Sequence, residues 1–499
     1  MNGAMVTIKE SLTSLDLGKS VAEFDEDLER YFVETNTFRE FINDRVDVIA
    51  GDKGIGKTAI YRFIQKRYED YPQLSDVNML PAFNPSGNPI FQSLVDKTVL
   101  EEADYNLLWK AYILSLIGNW LLKEQPELKG SPLDQMLAGL DLKTVNLSPK
   151  GIFAQILSIL PDFFRWKAAE VKFGLSDSGL PEITPRVEFS DEDAQRVVNA
   201  KIAVEDAFTV LNNALTDLGA RVWVTFDRLD EAFQGRPDIE VPALRALLRT
   251  YLDLLEFDKV KLKLFLRKDL FRRVTAAGFV NLTHINSRKL EIKWDEEDLL
   301  NLLCQRIRKN DRFVKMTHME GCTNEEIFDK IFPLQVDFGQ RKPKTWVWIM
   351  RRIRDGNDIK PPRNLIDLAR FTQQAQLRRE DREARELSGT SIIEPDSLRR
   401  GLSQLSEDRV NDTLLAEAGV YSELIERFRG GKAEHNHQTL AAILDVEVGQ
   451  VVGNVKPLVE LGFLEEVGGT YKIPTLYREG LAITQGKAFL SENASEDED

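Results

Sequence analysis

The sequence predicts an α/β fold in which helices cover both faces of a parallel five-stranded sheet, followed by a helical domain and a winged-helix domain. Five short β-branched runs alternate with helical stretches over the first 294 residues, a pattern typical of a parallel sheet. Strand signals then stop, and helical periodicity takes over. Near the carboxyl terminus, three helical stretches precede a hairpin at Gly468-Gly469, the order of a winged helix.

The individual elements set the domain boundaries. Strands are predicted at 46–50, 77–82, 221–226, 260–266 and 289–294. Helices are predicted at 21–43, 57–71, 106–122, 201–218, 244–255, 299–307, 346–353 and 365–375. The predicted domains are an N-terminal helical segment at 1–45, a core at 46–294 with an insertion at about 124–200, a helical lid at 295–400, a winged helix at 401–490 and a disordered acidic tail at 491–499.

Composition and charge exclude some classes of function. The chain carries 66 basic and 81 acidic side chains, a net charge of -15, which argues against general affinity for nucleic acid or anionic membranes. Lys9, Glu10 and Asp16 interrupt the apolar core that a signal peptide would need. No apolar run approaches the roughly 20 residues of a membrane helix. We therefore expect a soluble, cytoplasmic protein that does not contact a membrane.

Residues 51–58 match the phosphate-loop pattern G-x-x-x-x-G-K-[ST] in full, between a predicted strand and a predicted helix. The residues are Gly51, Asp52, Lys53, Gly54, Ile55, Gly56, Lys57 and Thr58. The glycines allow backbone angles that aim successive N–H groups at phosphate oxygens at a helix N-terminus. Lys57 supplies charge for the β- and γ-phosphates, and the Thr58 hydroxyl is placed to bind Mg²⁺. The motif predicts a P-loop nucleotide site.

A hydrophobic strand ending in acid supplies the second half of such a site. Asp227 follows the strand at 221–226 and is the candidate ligand of Mg²⁺. Asp230 and Glu231 are candidates to orient or deprotonate the attacking water, with Glu231 slightly preferred. The alternative is that these acids cap the next helix.

Three arginines are candidates to sense or stabilise the γ-phosphate. Arg267 ends the strand at 260–266, Arg363 opens a lid helix, and Arg288 precedes the last strand, from where it is placed to act on a neighbouring subunit. Each has the alternative interpretation of a surface or ion-paired arginine, because an arginine finger depends on geometry.

With these residues in place, the chain resembles the AAA+ and STAND branches of the P-loop ATPases. The D-R-L-D-E run at 227–231 looks like the D-G-x-D-E of STAND proteins, and the order of core, lid and winged helix is similar to STAND switches and origin-recognition ATPases. ERYFVETNTF at 29–38, DRLDEAF at 227–233, PPRNLIDLAR at 361–370 and IPTLYREGL at 473–481 resemble a bacterial P-loop ATPase family known mainly from cyanobacterial sequences. The resemblance covers most of the chain except 124–200.

The resemblance implies a three-layer core with strand order 5-1-4-3-2, ATP and Mg²⁺ as cofactors, and a role as a switch or motor. Relatives of this kind are often parts of phage-defence or DNA-transaction systems. We therefore expect a slow or partner-stimulated ATPase that couples its nucleotide state to a protein partner and forms a homo-oligomer. The rival hypotheses are an ATP-dependent DNA-binding initiator or regulator and an ATP-bound scaffold that does not hydrolyse.

Two regions bear on partners. Residues 421–490 hold seven basic and nine acidic side chains, a net of -2, so the winged helix is predicted to dock protein in preference to DNA. Basic clusters at 306–309, 341–344 and 351–354 surround Trp346 and Trp348, and fit either a nucleic-acid groove or, as preferred, solvated helix faces. The apolar run at 153–166 is either a partner surface or core.

Overall fold

The computed structural model describes residues 6–82, 101–164, 174–175, 181–182, 191–229, 231, 237–276, 278–387 and 391–489. The chain divides into two compact units. The core unit comprises Asn36–Asp52 and Lys57–Ile292, and the helical unit comprises Met1–Thr35, Lys53–Gly56 and Lys293–Asp499. Asp230 and the predicted acidic tail lie outside the described residues.

The core unit contains the predicted parallel sheet. Its strands in chain order are β1 (Val48–Gly51), β2 (Val77–Pro81), β3 (Gly174–Leu175), β4 (Pro181–Glu182), β5 (Arg221–Phe226), β6 (Val260–Arg267) and β7 (Lys289–Glu291). The main sheet has the order β2-β5-β6-β1-β7, with every pair parallel, and β3 pairs with β4 as a separate antiparallel ribbon. Counting only its five strands, this is the predicted order 5-1-4-3-2.

Helices bury both faces of this sheet. β1 is buried along its whole length, and β5 is buried from Val222 to Phe226, as expected for central strands of a covered parallel sheet. The helices of the core unit are Asn36–Ile42, Lys57–Arg67, Glu102–Glu124, Pro132–Gly139, Pro149–Phe164, Asp191–Asp217, Pro237–Asp253, Lys268–Ala276 and Leu282–Ser287. The helix Glu102–Glu124 is apolar nearly all round, and the indole of Trp109 donates to the Ala243 carbonyl at 2.8 Å. The predicted burial of this helix is confirmed.

The insertion contributes to the core through its described residues. Phe153 is fully buried, with its ring 5.9 Å from that of Trp109 and 5.3 Å from that of Tyr112. Ile152 and Ile156 are also buried. The first part of the apolar run at 153–166 is therefore core and not a partner surface, while the side chains beyond it lie outside the described part.

The N-terminal segment differs from its prediction. Residues 21–43 form two short 3₁₀ turns, Ala22–Phe24 and Leu28–Arg30, and a helix only at Asn36–Ile42. The cause is a tertiary contact that helical periodicity does not show. Asp25 is buried in an ion pair with Arg306 at 2.9 Å and also accepts the Tyr31 hydroxyl. A further helix, Ile8–Thr13, begins with a capping box between Thr7 and Glu10 that the sequence analysis overlooked.

The helical unit carries the lid and the winged helix. Its remaining helices are Glu296–Arg308, Asp311–Met316, Asn324–Ile331, Thr345–Arg352, Pro362–Glu380, Pro395–Asp408, Ala416–Ala418, Ser422–Glu426, His437–Leu444, Val451–Glu460 and Thr475–Arg478, with a π-helix at Arg409–Leu415. Strands β8 (Lys432–His435), β9 (Glu465–Val467), β10 (Thr470–Lys472) and β11 (Thr484–Lys487) form a sheet of order β11-β8-β10-β9. The hairpin of β9 and β10 turns at Gly468 and Gly469, both at positive φ, and forms the wing.

The basic clusters of the lid are partly structural. Arg306 is 3% exposed, and Lys309 pairs with Asp27 at 3.2 Å, so the cluster at 306–309 anchors the N-terminal segment. Trp348 is buried, which fits a helix that packs its apolar side chains into the core and leaves its basic ones in solvent.

Within the described residues, no helix combines the length and apolarity needed to cross a bilayer.

Candidate nucleotide site

The phosphate loop forms the predicted turn between strand and helix. β1 ends at Gly51 and the next helix, Lys57–Arg67, begins at Lys57. Gly54 and Gly56 adopt φ of 74° and 109°, conformations that only glycine enters without strain. The Lys57 ammonium donates to the carbonyls of Gly51 and Asp52 at 2.8 and 2.9 Å, and the first turn of the helix holds no acidic side chain. The helix N-terminus is thus electropositive, as an anion site requires.

One face of the phosphate-loop helix points toward the end of β5. Gln65 donates to the Thr225 hydroxyl at 2.6 Å. Tyr61 lies near Asp227. Burial, and after it the negative charge of Asp227, raise the pKa of Tyr61 to about 12. Thr58 lies three residues before Tyr61 and therefore shares this helix face. Thr58 is therefore on the helix face directed toward the end of β5, and its joint binding of Mg²⁺ with Asp227 stays a prediction.

Asp227 is suited to hold a cation. It follows the last residue of β5 and is 3% exposed, so its charge is largely shielded from water. Hydroxyl and carboxylate oxygens are the donors that Mg²⁺ prefers, and Mg²⁺ bound with a nucleotide takes only one or two of them from protein. Thr58 and Asp227 fit that requirement. The described residues contain no group of three or more His, Cys, Asp and Glu side chains that would suggest another kind of metal centre.

Of the two candidate water-activating acids, only Glu231 is described. Its carboxylate accepts from Nε of Arg228 at 2.5 Å, and its backbone N–H donates to the Arg228 carbonyl at 3.1 Å. Arg228 has φ of 58°, in the left-handed region that few residues other than glycine enter, so the turn after Asp227 is strained. Glu231 is therefore held by an ion pair with the residue that follows the candidate metal ligand in the chain.

Arg267 lies beside the phosphate loop. It is the last residue of β6 and the register partner of Gly51 in β1. Its guanidinium donates to both carboxylate oxygens of Asp269, at 3.0 and 3.2 Å. Burial opposes ionisation of Asp269, but the charge and hydrogen bonds of Arg267 hold the pKa of that carboxyl below its usual value. Arg267 thus lies next to Gly51, and its action on phosphate stays a prediction.

Arg288 lies at the amino edge of the sheet, opposite to the edge that holds Arg267 and Gly51. It precedes β7, at the amino edge of the sheet, and its Nη2 lies 3.0 Å from Asp47 and 3.3 Å from Asp44. Hydrogen bonding to Asp47 raises the pKa of Arg288. The fully buried Lys263 joins the same network, 2.7 Å from Asp47. For Arg288 the structure shows the ion-paired alternative that the sequence left open.

Arg363 contacts the phosphate loop in the helical unit. A Cβ on Gly54 would lie 3.2 Å from Cβ and 3.4 Å from Nε of Arg363. Nε of Arg363 is buried, and no hydrogen-bond acceptor for it occurs among the described residues. Arg363 is the second residue of the helix Pro362–Glu380, where a positive charge opposes the helix dipole. Its position is therefore not explained by the stability of its own helix.

Trp294 is a loop contact that sequence reasoning missed. It was assigned to the fifth strand, but β7 ends at Glu291. The indole N–H of Trp294 donates to the Ile55 carbonyl at 2.7 Å, and a Cβ on Gly56 would lie 3.7 Å from the indole ring. A tryptophan shortly after a strand gives no local signal for this role, because the loop it contacts is more than 230 residues away.

No protein-family model matches the chain, and no curated protein matches it. Among solved structures, it is similar to the Aeropyrum pernix ORC2 protein in ADPNP–ADP complexes, with 12% identity and a TM-score of 0.40 over 91% of this chain and 96% of that one. The A. pernix ORC1 protein in complex with DNA is 13% identical, with a TM-score of 0.36 over 93% of this chain and 96% of that one. The ADP form of ORC2 is 11% identical, with a TM-score of 0.33 over 89% of this chain and 92% of that one. At values this low the similarity carries no functional argument.

Proposed function

We propose that this protein is an ATP-binding and ATP-hydrolysing switch of the AAA+/STAND type, which couples its nucleotide state to assembly or to a protein partner. The observation that carries the proposal is the placement of buried Asp227 beside the helix that the phosphate loop opens. Phosphate-binding turns occur without hydrolysis, but a loop lysine, a loop hydroxyl and a shielded carboxylate close to the same helix form the set used for phosphoryl transfer.

Each residue has a defined role in this proposal. The backbone N–H groups of residues 51–58 surround the phosphates, and Lys57 exchanges its two carbonyl acceptors for β- and γ-phosphate oxygens. Thr58 and Asp227 hold Mg²⁺, which when bound neutralises charge on those phosphates. Glu231, or Asp230 beside it, orients the attacking water. Since Glu231 is paired with Arg228, basal turnover is expected to be slow.

The signal that reports the nucleotide state to a partner is proposed to start at the phosphate loop. Arg363 and Trp294 contact Gly54 and Ile55, which lie in the four-residue section of the loop, Lys53–Gly56, that groups with the helical unit. A γ-phosphate near Gly54 would supply the acceptor for Arg363. Loss of that phosphate on hydrolysis would therefore alter the start of the helix Pro362–Glu380. Such a change is the type of signal that a switch passes to a partner.

The winged helix is proposed to bind protein. In its helix Val451–Glu460, Lys456 is the only basic side chain, and Glu460 lies 4.0 Å from it. Val452 at 60% and Val448 at 53% are exposed on and beside that helix. Few cations remain for DNA phosphates, and exposed apolar side chains fit a protein surface better.

The experiment measures ATP turnover and particle mass for wild type, Lys57→Ala and Glu231→Gln. Lys57→Ala should lose nucleotide binding, and Glu231→Gln should bind ATP, hydrolyse it slowly and accumulate a larger assembly. Lys66→Ala, at the far end of the same helix, is the matched control and should behave as wild type. If no variant binds nucleotide, the proposal is wrong.

A non-hydrolysing scaffold is the second candidate, and the Glu231–Arg228 ion pair is the observation that favours it. A carboxylate held by arginine is not available to orient or deprotonate water until that ion pair opens. Tight ATP binding by wild type with turnover no faster than that of Glu231→Gln would support the scaffold and exclude the ATPase.

A further inference from the structure

A cleft in the helical unit is separate from the nucleotide site. It has a volume of about 760 Å³ and lies between the helix Thr345–Arg352 and the winged-helix sheet with its following helix, Thr475–Arg478. This volume falls in the range of small-molecule sites. Its lining includes six basic side chains and three acidic ones. The cleft is therefore a candidate site for a negatively charged ligand.

Three arginines carry the excess positive charge, and the first of them is buried. Arg478 is 9% exposed, and its Nε donates to the Ile473 carbonyl at 2.8 Å. Its Nη1 contacts the Gln485 amide oxygen. These partners are neutral, and no carboxylate lies within ion-pair distance of Arg478 among the described residues. The guanidinium is thus fixed in place by neutral groups, and the negative charges that act on it, those of Glu434 and Glu465, do so from beyond ion-pair distance.

The other two arginines lie on the neighbouring helix. Arg352 stacks over the Trp348 ring at 4.1 Å, and its nearest carboxylate, Asp337, lies 3.7 Å away. Burial lowers the pKa of Arg352, and although Asp337 opposes that shift, the charges of Arg478 and Arg351 lower it further. Arg351 is exposed and has no ion-pair partner in the described part of the chain. Because arginine does not give up its proton, the three side chains repel one another until an anion binds.

The remaining cations of the cleft are already neutralised. Arg354 pairs with Glu465 at 3.1 Å and Asp358 at 3.3 Å, and Lys360 also pairs with Asp358 at 3.3 Å. Lys472 pairs with Glu434 at 3.1 Å. The cationic donors left to bind phosphate in the cleft are consequently Arg351, Arg352 and Arg478.

The walls of the cleft restrict the shape of the ligand. Glu296, Asp358 and Glu465 line it, and their carboxylates would repel a phosphate backbone that continued past the arginines. Val347, Met350 and Pro474 supply an apolar surface beside them. A compact ligand with clustered negative charge and one apolar or planar part suits this lining better than an extended polymer.

We propose that the cleft of Arg351, Arg352 and Arg478 binds a compact polyphosphate ligand of nucleotide size. The phosphates lie on the three guanidinium groups, and the rest of the ligand lies against Val347 and Pro474. The ligand joins the lid helix Thr345–Arg352 to the winged helix, so binding stabilises the helical unit. This site does not depend on the proposed ATPase activity.

The test uses the full chain with Lys57→Ala, which disables the phosphate loop, and inorganic tripolyphosphate as the probe. Calorimetry should give one site per chain, and ATP should compete for it. Arg351→Glu, at an exposed position, should weaken binding by about tenfold or more, the loss expected for one charge-assisted contact. Arg378→Glu, exposed on the lid helix Pro362–Glu380 and outside the cleft, is the charge-matched control and should change binding less than about twofold.

Several results would overturn the proposal. Tripolyphosphate that fails to bind, or that binds equally to the Arg351→Glu variant, excludes the site. If duplex DNA binds in an Arg351-dependent and strongly salt-dependent manner while tripolyphosphate does not, the cleft is a nucleic-acid groove. Arg351→Gln provides a second variant should the charge reversal perturb folding, which circular dichroism detects.

Discussion

Arg363 occupies a position that a bound anion at the phosphate loop would explain. It lies in the first turn of a helix, where its charge is unfavourable, and its Nε is buried against Gly54. We predict that Arg363→Ala weakens ATP binding or slows hydrolysis by about tenfold or more, as expected for a lost contact between arginine and phosphate. The free energy of unfolding without nucleotide should not fall. Turnover assays and denaturant titration of Arg363→Ala beside Arg378→Ala check both statements, and equal loss in the two variants would contradict them.

Arg228 is predicted to restrain Glu231. Removing its side chain in Arg228→Ala frees the carboxylate from an ion pair and relieves a left-handed backbone position only in part. If Glu231 is the general base, basal turnover should rise several-fold, and the double variant Arg228→Ala/Glu231→Gln should lose the gain. A gain that survives in the double variant would assign the role to Asp230. Steady-state phosphate release measures each outcome.

At the scale of elements, the amino edge of the sheet contains a buried ion network. Asp47 is 2% exposed and accepts from Lys263, Arg288 and the Tyr251 hydroxyl. Burial alone would raise the pKa of Asp47, but the charge of Lys263 and the hydrogen bonds of Arg288 and Lys263 hold it below the ordinary 3.8. Because the folded pKa is depressed, the stabilisation by Asp47 is complete above about pH 4 and is lost as pH falls through the folded pKa.

We predict that Asp47→Asn destabilises the protein by about 3 kcal/mol or more at pH 7, since Lys263 and Arg288 lose a buried counter-charge. The variant should also lose part of the acid sensitivity below about pH 4. Asp70→Asn, in an exposed pair with Arg67, is the control and should cost less than about 1 kcal/mol. Urea titrations at pH 7 and pH 3 report both effects; an unchanged midpoint in Asp47→Asn would refute the network's importance.

The elements that were predicted correctly have local signals. β1, β2, β5, β6 and β7 are short apolar runs, and the glycines at 54 and 56 indicate the turn between β1 and its helix. The elements that were missed depend on distant partners. Asp25 breaks a helical pattern by pairing with Arg306, and Trp294 serves a loop far earlier in the chain. The ion pairs of Arg288 with Asp44 and Asp47 likewise have no local signal, and its action on a neighbouring subunit stays a prediction.

At the scale of the whole molecule, each unit has its own apolar core. One cluster runs from Val48 to Ile285 within the core unit, and another, including Ile8 and Ile483, lies within the helical unit. Separate cores favour separate unfolding events. We predict two calorimetric transitions, of which at least one moves upward with ATP by the equivalent of about 2.7 kcal/mol at a hundredfold excess over Kd. Lys57→Ala should remove the shift and Lys66→Ala should keep it; a shift in Lys57→Ala would contradict loop binding.

The hydrogen bond from Trp294 to Ile55 gives the phosphate loop an internal optical reporter. The indole lies against Gly56, so its emission should respond to ligand in the loop without any added dye. The chain has seven tryptophans, and Trp294→Phe would show which part of a nucleotide-induced intensity change arises here. Stopped-flow recording of this tryptophan fluorescence would follow nucleotide binding, hydrolysis and release in one experiment on the unlabelled protein.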